Sequence, residues 1–149
     1  MNETVEKSFP TPATQRENKE KLDIKILLAD DEKSIRFMVP LNLRPMGCIV
    51  ETVSTGEELI ARLDSAKPGE FGLVIADNNM GSGIRGIDAI ANIRANNHFK
   101  SLPIILHSGM PDGELLRRVT SLNSMFLEKP ADSEKFKTTI QEALAKFKK

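Results

Sequence analysis

The chain has 149 residues, 21 basic against 21 acidic, and a formal net charge of zero. That length suits one ordinary domain with its own core, and the balanced charge argues against a nucleic acid or an acidic membrane held by bulk charge. No apolar run approaches the ~20 residues of a membrane span, the polar opening is unlike a signal peptide, and the single cysteine, Cys48, is expected as a buried structural thiol in a reducing cytoplasm.

Residues 1–21 hold few apolar side chains, two close prolines (Pro10, Pro12) and balanced charges, and read as a disordered tail ahead of a domain over 22–149. Residues 24–29, Ile-Lys-Ile-Leu-Leu-Ala, are short, apolar and rich in β-branching, which predicts a buried strand. A helix follows over 34–44, with Ile35, Met38, Val39 and Asn42 at helical spacing, Pro40 expected to kink it and Gly47 to stop it. A second strand is expected at 49–53. Ser54-Thr55-Gly56-Glu57 has the form of a capping box and opens a helix running through Leu63. Lys67-Pro68-Gly69 is a loop, and residues 73–76, Leu-Val-Ile-Ala, form the most buried-looking strand.

Gly81-Ser82-Gly83 reads as a flexible loop, and Ile87, Ile90, Ala91 and Arg94 mark a third helix. Pro103 precedes a fourth strand at 104–106. Pro111 is expected in the first turn of a fourth helix, where proline is tolerated, with Leu115, Leu116, Val119 and Leu122 as its apolar face. A fifth strand is expected at 125–127. The last helix starts near Ser133, with Phe136, Ile140, Ala143, Leu144 and Phe147 on one face and a basic, solvated end. Strands alternate with helices, and short continuous apolar strands mean both sheet faces are covered. The fold expected is α/β, a doubly wound five-stranded parallel sheet, with any ligand beyond the carboxyl ends of the strands.

Chemistry-bearing residues fall at those ends. Asp30 and Asp31 follow the first strand, Asp77 the third, His107 and Ser108 the fourth, Glu128 and Lys129 the fifth. Each has an ordinary reading alone: a helix cap for Asp30 or Asp31, a turn for Asp77 or Ser108, a solvated strand end for Lys129. Their coincidence after the correct strands carries the argument. Two unit charges ~4 Å apart repel by roughly 4 kcal/mol at an effective dielectric of ~20, so three acids facing one lysine call for a divalent, oxygen-loving cation. Mg²⁺ fits, with Mn²⁺ as a substitute, because it takes one or two carboxylates plus phosphate. A carboxylate then serves as nucleophile toward phosphorus, with Lys129 neutralising charge on the transferred group and Ser108 donating to one of its oxygens.

Asp30-Asp31, Asp77-Asn78-Asn79-Met80, His107-Ser108-Gly109 and Phe126-Leu127-Glu128-Lys129-Pro130 together resemble the receiver domain of two-component signalling, over residues 22–149. The resemblance implies a flavodoxin-like strand order 2-1-3-4-5. It implies Asp77 as phosphoacceptor, and Asp30, Asp31, Asp77 and the Asn79 carbonyl as the metal site. It further implies Ser108 and Phe126 as switch residues, Lys129 as the phosphoryl-contacting lysine, and Pro130 as a cis-proline. The chain departs from the family where Met80 is followed by Gly81 rather than proline, and the loop to Gly86 is longer by a residue.

The function implied is a single-domain response regulator. A sensor histidine kinase or phosphotransfer protein donates the phosphoryl group, and the face of the fourth helix, fifth strand and last helix signals to an effector protein, with no direct nucleic acid or membrane partner. Three rivals are weaker. An aspartate-nucleophile phosphohydrolase needs a second acid where Asn79 stands, and a flavin carrier needs a Ser/Thr-rich phosphate loop after the first strand, which this chain lacks. A receiver-like module that is never phosphorylated has no need of the full acid, Ser and Lys set. A Ser-His-Asp triad is disfavoured, because adjacent strand residues His107 and Ser108 point to opposite faces and do not easily share a hydrogen bond.

Overall fold

The computed structural model describes residues 21–147; apart from Lys21, the tail expected at 1–21 lies outside them. The chain alternates β1 (Ile24–Ala29), α1 (Lys33–Leu43), β2 (Cys48–Val53), α2 (Gly56–Asp64), β3 (Leu73–Ala76), α3 (Gly86–Arg94), β4 (Ile104–Ser108), α4 (Gly113–Ser121), β5 (Met125–Glu128) and α5 (Ser133–Lys146). The five strands form one sheet in the order β2-β1-β3-β4-β5, and every neighbouring pair is parallel. Both the fold class and the strand order agree with expectation.

Alternate strand residues supply two cores. Leu27, Ala29, Val74, Ala76 and Leu106 pack under α2 and α3, with Leu59, Ile87 and Ile90. Ile26, Leu28, Ile75, Ile105 and Leu127 pack under α1 and α5, with Leu43, Phe136 and Ile140. Fully burying a Leu or Ile stabilises by roughly 1.5–3 kcal/mol, so these paired layers fix the register, and the register fixes which residues meet beyond the strand ends.

Several local expectations need correction. The helix cap at 54–57 sits one residue later. Thr55 accepts from the Glu58 amide at 3.0 Å, and the Glu58 carboxylate, not that of Glu57, accepts from the Ser54 amide at 2.8 Å. Pro111 lies outside α4, whose N-cap is Asp112, accepting from the Leu115 amide at 2.8 Å; the carboxylate cap outcompetes proline's preference for the first turn. Leu116 faces solvent, as do Met38, Phe37 and Leu41 on α1. The helix α1 continues through Pro40. Cys48 is buried as expected, and burial pushes its thiol up to about 11.

Candidate functional site

The backbone ladder continues past the strand ends. Ala29 is level with Ala76, and the Asp77 amide donates to the Ala29 carbonyl at 2.9 Å, so Asp30 and Asp77 are brought side by side. On the other flank the Lys129 amide donates to the Ser108 carbonyl at 2.7 Å, which carries the lysine across the same rim. The peptide bond between Lys129 and Pro130 is cis, matching the expectation for Pro130.

Carboxylate oxygens of Asp30, Asp31 and Asp77 lie within 4.8 Å of one another, the one group of three or more potential metal-ligating side chains among the described residues. The Lys129 ammonium stands over them, 3.0 Å from Asp30 Oδ2 and 3.3 Å from Asp77 Oδ2. Asp30 and Asp77 are buried while Asp31 faces solvent. Burial pushes the Asp30 carboxyl above its ordinary value, against the hydrogen bond from the Glu32 amide and the pull of Lys129. Burial also works to lower the Lys129 pKa, but its bonds to Glu32 and Asp30 outweigh that and leave it raised. The lysine is therefore a fixed positive charge.

The donor set of three hard carboxylate oxygens suits Mg²⁺, which favours oxygen ligands and keeps several waters. A desolvated Asp30 beside Asp77 is also the arrangement a divalent cation would stabilise. The residues fit the metal on these two observations.

Asp31, Asp77, Asn79, Ser108 and Lys129 all line one cleft of about 530 Å³. Asn79 is exposed at its mouth, and Ser108 is buried at the end of β4. The structure thus brings every expected site residue to one rim except Phe126, which is half-buried on β5 and packs against the core under α3, and Pro130, which is exposed beside the lysine. The loop after Asp77 is held by its own chain. Asn78 Oδ1 accepts from the Ile87 amide at 2.9 Å, and a Cβ on Gly86 would collide with the Asp77 carbonyl oxygen. The Ile84 amide donates to Glu57 at 3.1 Å, so this loop is latched to the start of α2. A Cβ on Gly109 would meet nothing within 4 Å, and Gly109 lines the same cleft as Asp77.

His107 lies on the opposite face from Ser108, edge-on to the Phe136 ring with centroids 4.8 Å apart. Both its ring nitrogens are buried without a hydrogen-bond partner. Burial, then the Lys129 charge, push its pKa down to about 4, so it is neutral at pH 7 and outside any triad. The sequence reading missed Glu32, whose Oε1 lies 2.7 Å from the Lys129 ammonium, the shortest of that group's contacts. Its position directly after Asp30-Asp31 was the available signal. Lys129 in turn holds the Glu32 carboxyl below its usual range.

Comparison with known proteins agrees with this geometry. Residues 26–141 match the response regulator receiver domain family. The chain is 34% identical over 84 residues to chemotaxis protein CheY-3 of Vibrio cholerae, a match that covers 56% of this chain and 62% of that relative's length. It is 29% identical over 127 residues to Protein PilG of Pseudomonas aeruginosa, covering 83% of this chain and 90% of that one. Among solved structures, chemotaxis response regulator CheY4 of Vibrio cholerae superposes with a TM-score of 0.73 at 30% identity, over 81% of this chain and 98% of that one.

Proposed function

The chain belongs to the response regulator receiver domain family, and from that premise we propose that it is a phosphorylation switch whose acceptor is Asp77. The single observation that carries the reading is the convergence of Asp30, Asp31 and Asp77 within 4.8 Å under one lysine. This group holds charge for a cation and a phosphoryl group and leaves one nucleophile facing an open cleft.

In this reading a phosphohistidine of a sensor kinase or phosphotransfer protein enters the cleft. An Asp77 oxygen attacks phosphorus, the P–N bond breaks, and the histidine nitrogen leaves with the electron pair and is then protonated. The product is an acyl phosphate. Asp30, Asp31, Asp77 and the Asn79 carbonyl would hold Mg²⁺, which would supply positive charge against the phosphoryl oxygens. Lys129 adds a second positive charge there, and the Ser108 hydroxyl donates to an oxygen of the acyl phosphate. That bond draws Ser108 off its resting position, and Phe126 turns into the space. The face of α4, β5 and α5 then changes for an effector protein, as local electrostatic switches act through a two-state element. The domain catalyses only its own phosphorylation and dephosphorylation.

A small acyl-phosphate donor with Mg²⁺ tests the reading. The intact protein should gain one phosphoryl mass, and chelation of the metal should prevent it. Asp77→Asn should gain none. Equal labelling of the variant would remove Asp77 from the role.

A further inference from the structure

Lys129 is engaged before any phosphoryl group arrives: among the described residues its hydrogen bond goes to Glu32 Oε1, and Asp30 Oδ2 and Asp77 Oδ2 are ion-pair neighbours. Its ammonium has three N–H donors, and three carboxylates face it: Glu32 at 2.7 Å, Asp30 at 3.0 Å and Asp77 at 3.3 Å. A phosphoryl oxygen arriving beside Asp77 would draw on the same ammonium in competition with these partners. Asp30 is fully buried, and its other carboxylate oxygen is pinned by the Glu32 amide at 2.9 Å, so it stays. Asp77 is the atom source for the new bond, and its remaining oxygen keeps the lysine close. The Glu32 side chain is the partner free to leave, being 57% exposed against 18% for Lys129 and 6% for Asp77.

We infer that Glu32 is a positioning residue that holds Lys129 in the resting protein and competes with the phosphoryl group for it, setting how readily the site accepts a phosphoryl group. The inference rests on the reading of Asp77 as acceptor. Among the described residues Glu32 has its side-chain hydrogen bond with Lys129. It is the N-cap residue of α1 but gives that helix no side-chain cap. Its backbone amide and carbonyl hydrogen bonds, to Asp30 and from Ile35 and Arg36, survive any change of side chain. The competition is also one of charge. A fourth carboxylate at the mouth of the cleft opposes a dianionic group, whereas an uncharged amide of the same size does not.

The test compares full-length wild type with Glu32→Gln. First, in metal-free protein, the Lys129 side-chain ammonium resonance should move in the variant, while the Ile35 and Arg36 amides in α1 keep their positions. Second, beryllofluoride with Mg²⁺ is titrated and followed by NMR. Losing one exposed ion pair should lower the half-saturating concentration about two- to fivefold. Third, with a small acyl-phosphate donor the gain should appear in KM, with kcat little changed, and Glu32→Asp should restore most of the wild-type KM. An unmoved ammonium resonance, or equal beryllofluoride affinity in the two proteins, overturns the role of Glu32 and leaves the Asp77 reading standing. A wild-type protein that takes no beryllofluoride overturns the Asp77 reading and this inference with it.

Discussion

The two ends of the sheet carry ion networks of opposite character. At the amino end, Lys25 and Arg62 meet Glu51 and Glu70: Arg62 lies 2.6 Å from each acid, and Lys25 lies 3.4 Å from Glu51 and 3.0 Å from Glu70. Two cations balance two anions, and both cations also lie over the Phe71 ring, at 5.0 and 4.9 Å. Arg62, then Lys25, hold the Glu70 carboxyl down to about 2. At the carboxyl end, Lys129 is the one cation among the described residues that pairs with Asp30, Asp77 and Glu32, with Asp31 beside them. The first network is balanced within the protein and ties β1, β2 and α2 to the loop before β3. The second leaves net negative charge among its described side chains, which a cation from outside would balance, and that imbalance sets it apart from the first. A hollow of about 550 Å³ also opens at the amino end, lined by Leu63, Phe71 and Leu102. Of the two carboxylates that line it, Asp64 and Glu70, Glu70 is already paired, and a hollow of that size does not by itself make a site.

The comparison can be broken from either end. The largest effect is expected at Arg94, a buried cation of the amino end. It donates to the carbonyls of Leu122 at 2.7 Å, Phe99 at 2.7 Å and Asn123 at 2.9 Å, and no carboxylate pairs with it among its described hydrogen bonds. Burial lowers its pKa to about 10, still charged at pH 7. Arg94→Ala strands three carbonyls and should cost about 3 kcal/mol or more, read by chemical denaturation. Acyl-phosphate labelling of the folded variant should match wild type. If labelling falls as well, the two ends are coupled and the contrast drawn above is wrong.

A smaller effect belongs to His107. Unfolded, its imidazole takes a proton near 6.5; folded, burial holds its pKa at about 4. Its contribution is therefore whole above pH 6.5, is lost as pH falls from 6.5 to 4, and levels off below. The loss at pH 5 is about 2 kcal/mol. Asp30, raised by burial, works in the opposite direction, so the informative quantity is the difference from a variant. His107→Leu should lose clearly less stability than wild type between pH 7 and 5. Equal losses would mean that the imidazole finds a partner for its proton in the folded state.

Much of this was legible in the sequence. Residues 24–29 and 73–76 were placed to the residue, because strands covered on both faces are short and continuously apolar. The strand order was not readable from periodicity, since nothing local says which strands are neighbours; it came from the resemblance. Asp30, Asp31, Asp77 and Lys129 were found because the fold places strand ends together. Glu32 was missed because its partner is 97 residues away, and an exposed acid after two others looks like a solvated helix start. Arg94 was read as one more helix residue because its partners are backbone carbonyls, which any sequence supplies. The shift of the cap to Thr55, and Pro111 falling outside α4, are errors of one or two residues at helix ends, where competing caps differ by less than about 1 kcal/mol.

The most direct test of the contrast between the two ends is an NMR titration of the full-length protein with Mg²⁺, followed by beryllofluoride. The account predicts saturable shifts at Asp30, Asp31, Asp77, Asn79 and Lys129 on adding the metal. With beryllofluoride, shifts should extend to Ser108 and Phe126, while Lys25, Glu51, Arg62 and Glu70 stay unmoved throughout. Saturable shifts at those last four residues, or none around Asp77, would contradict it.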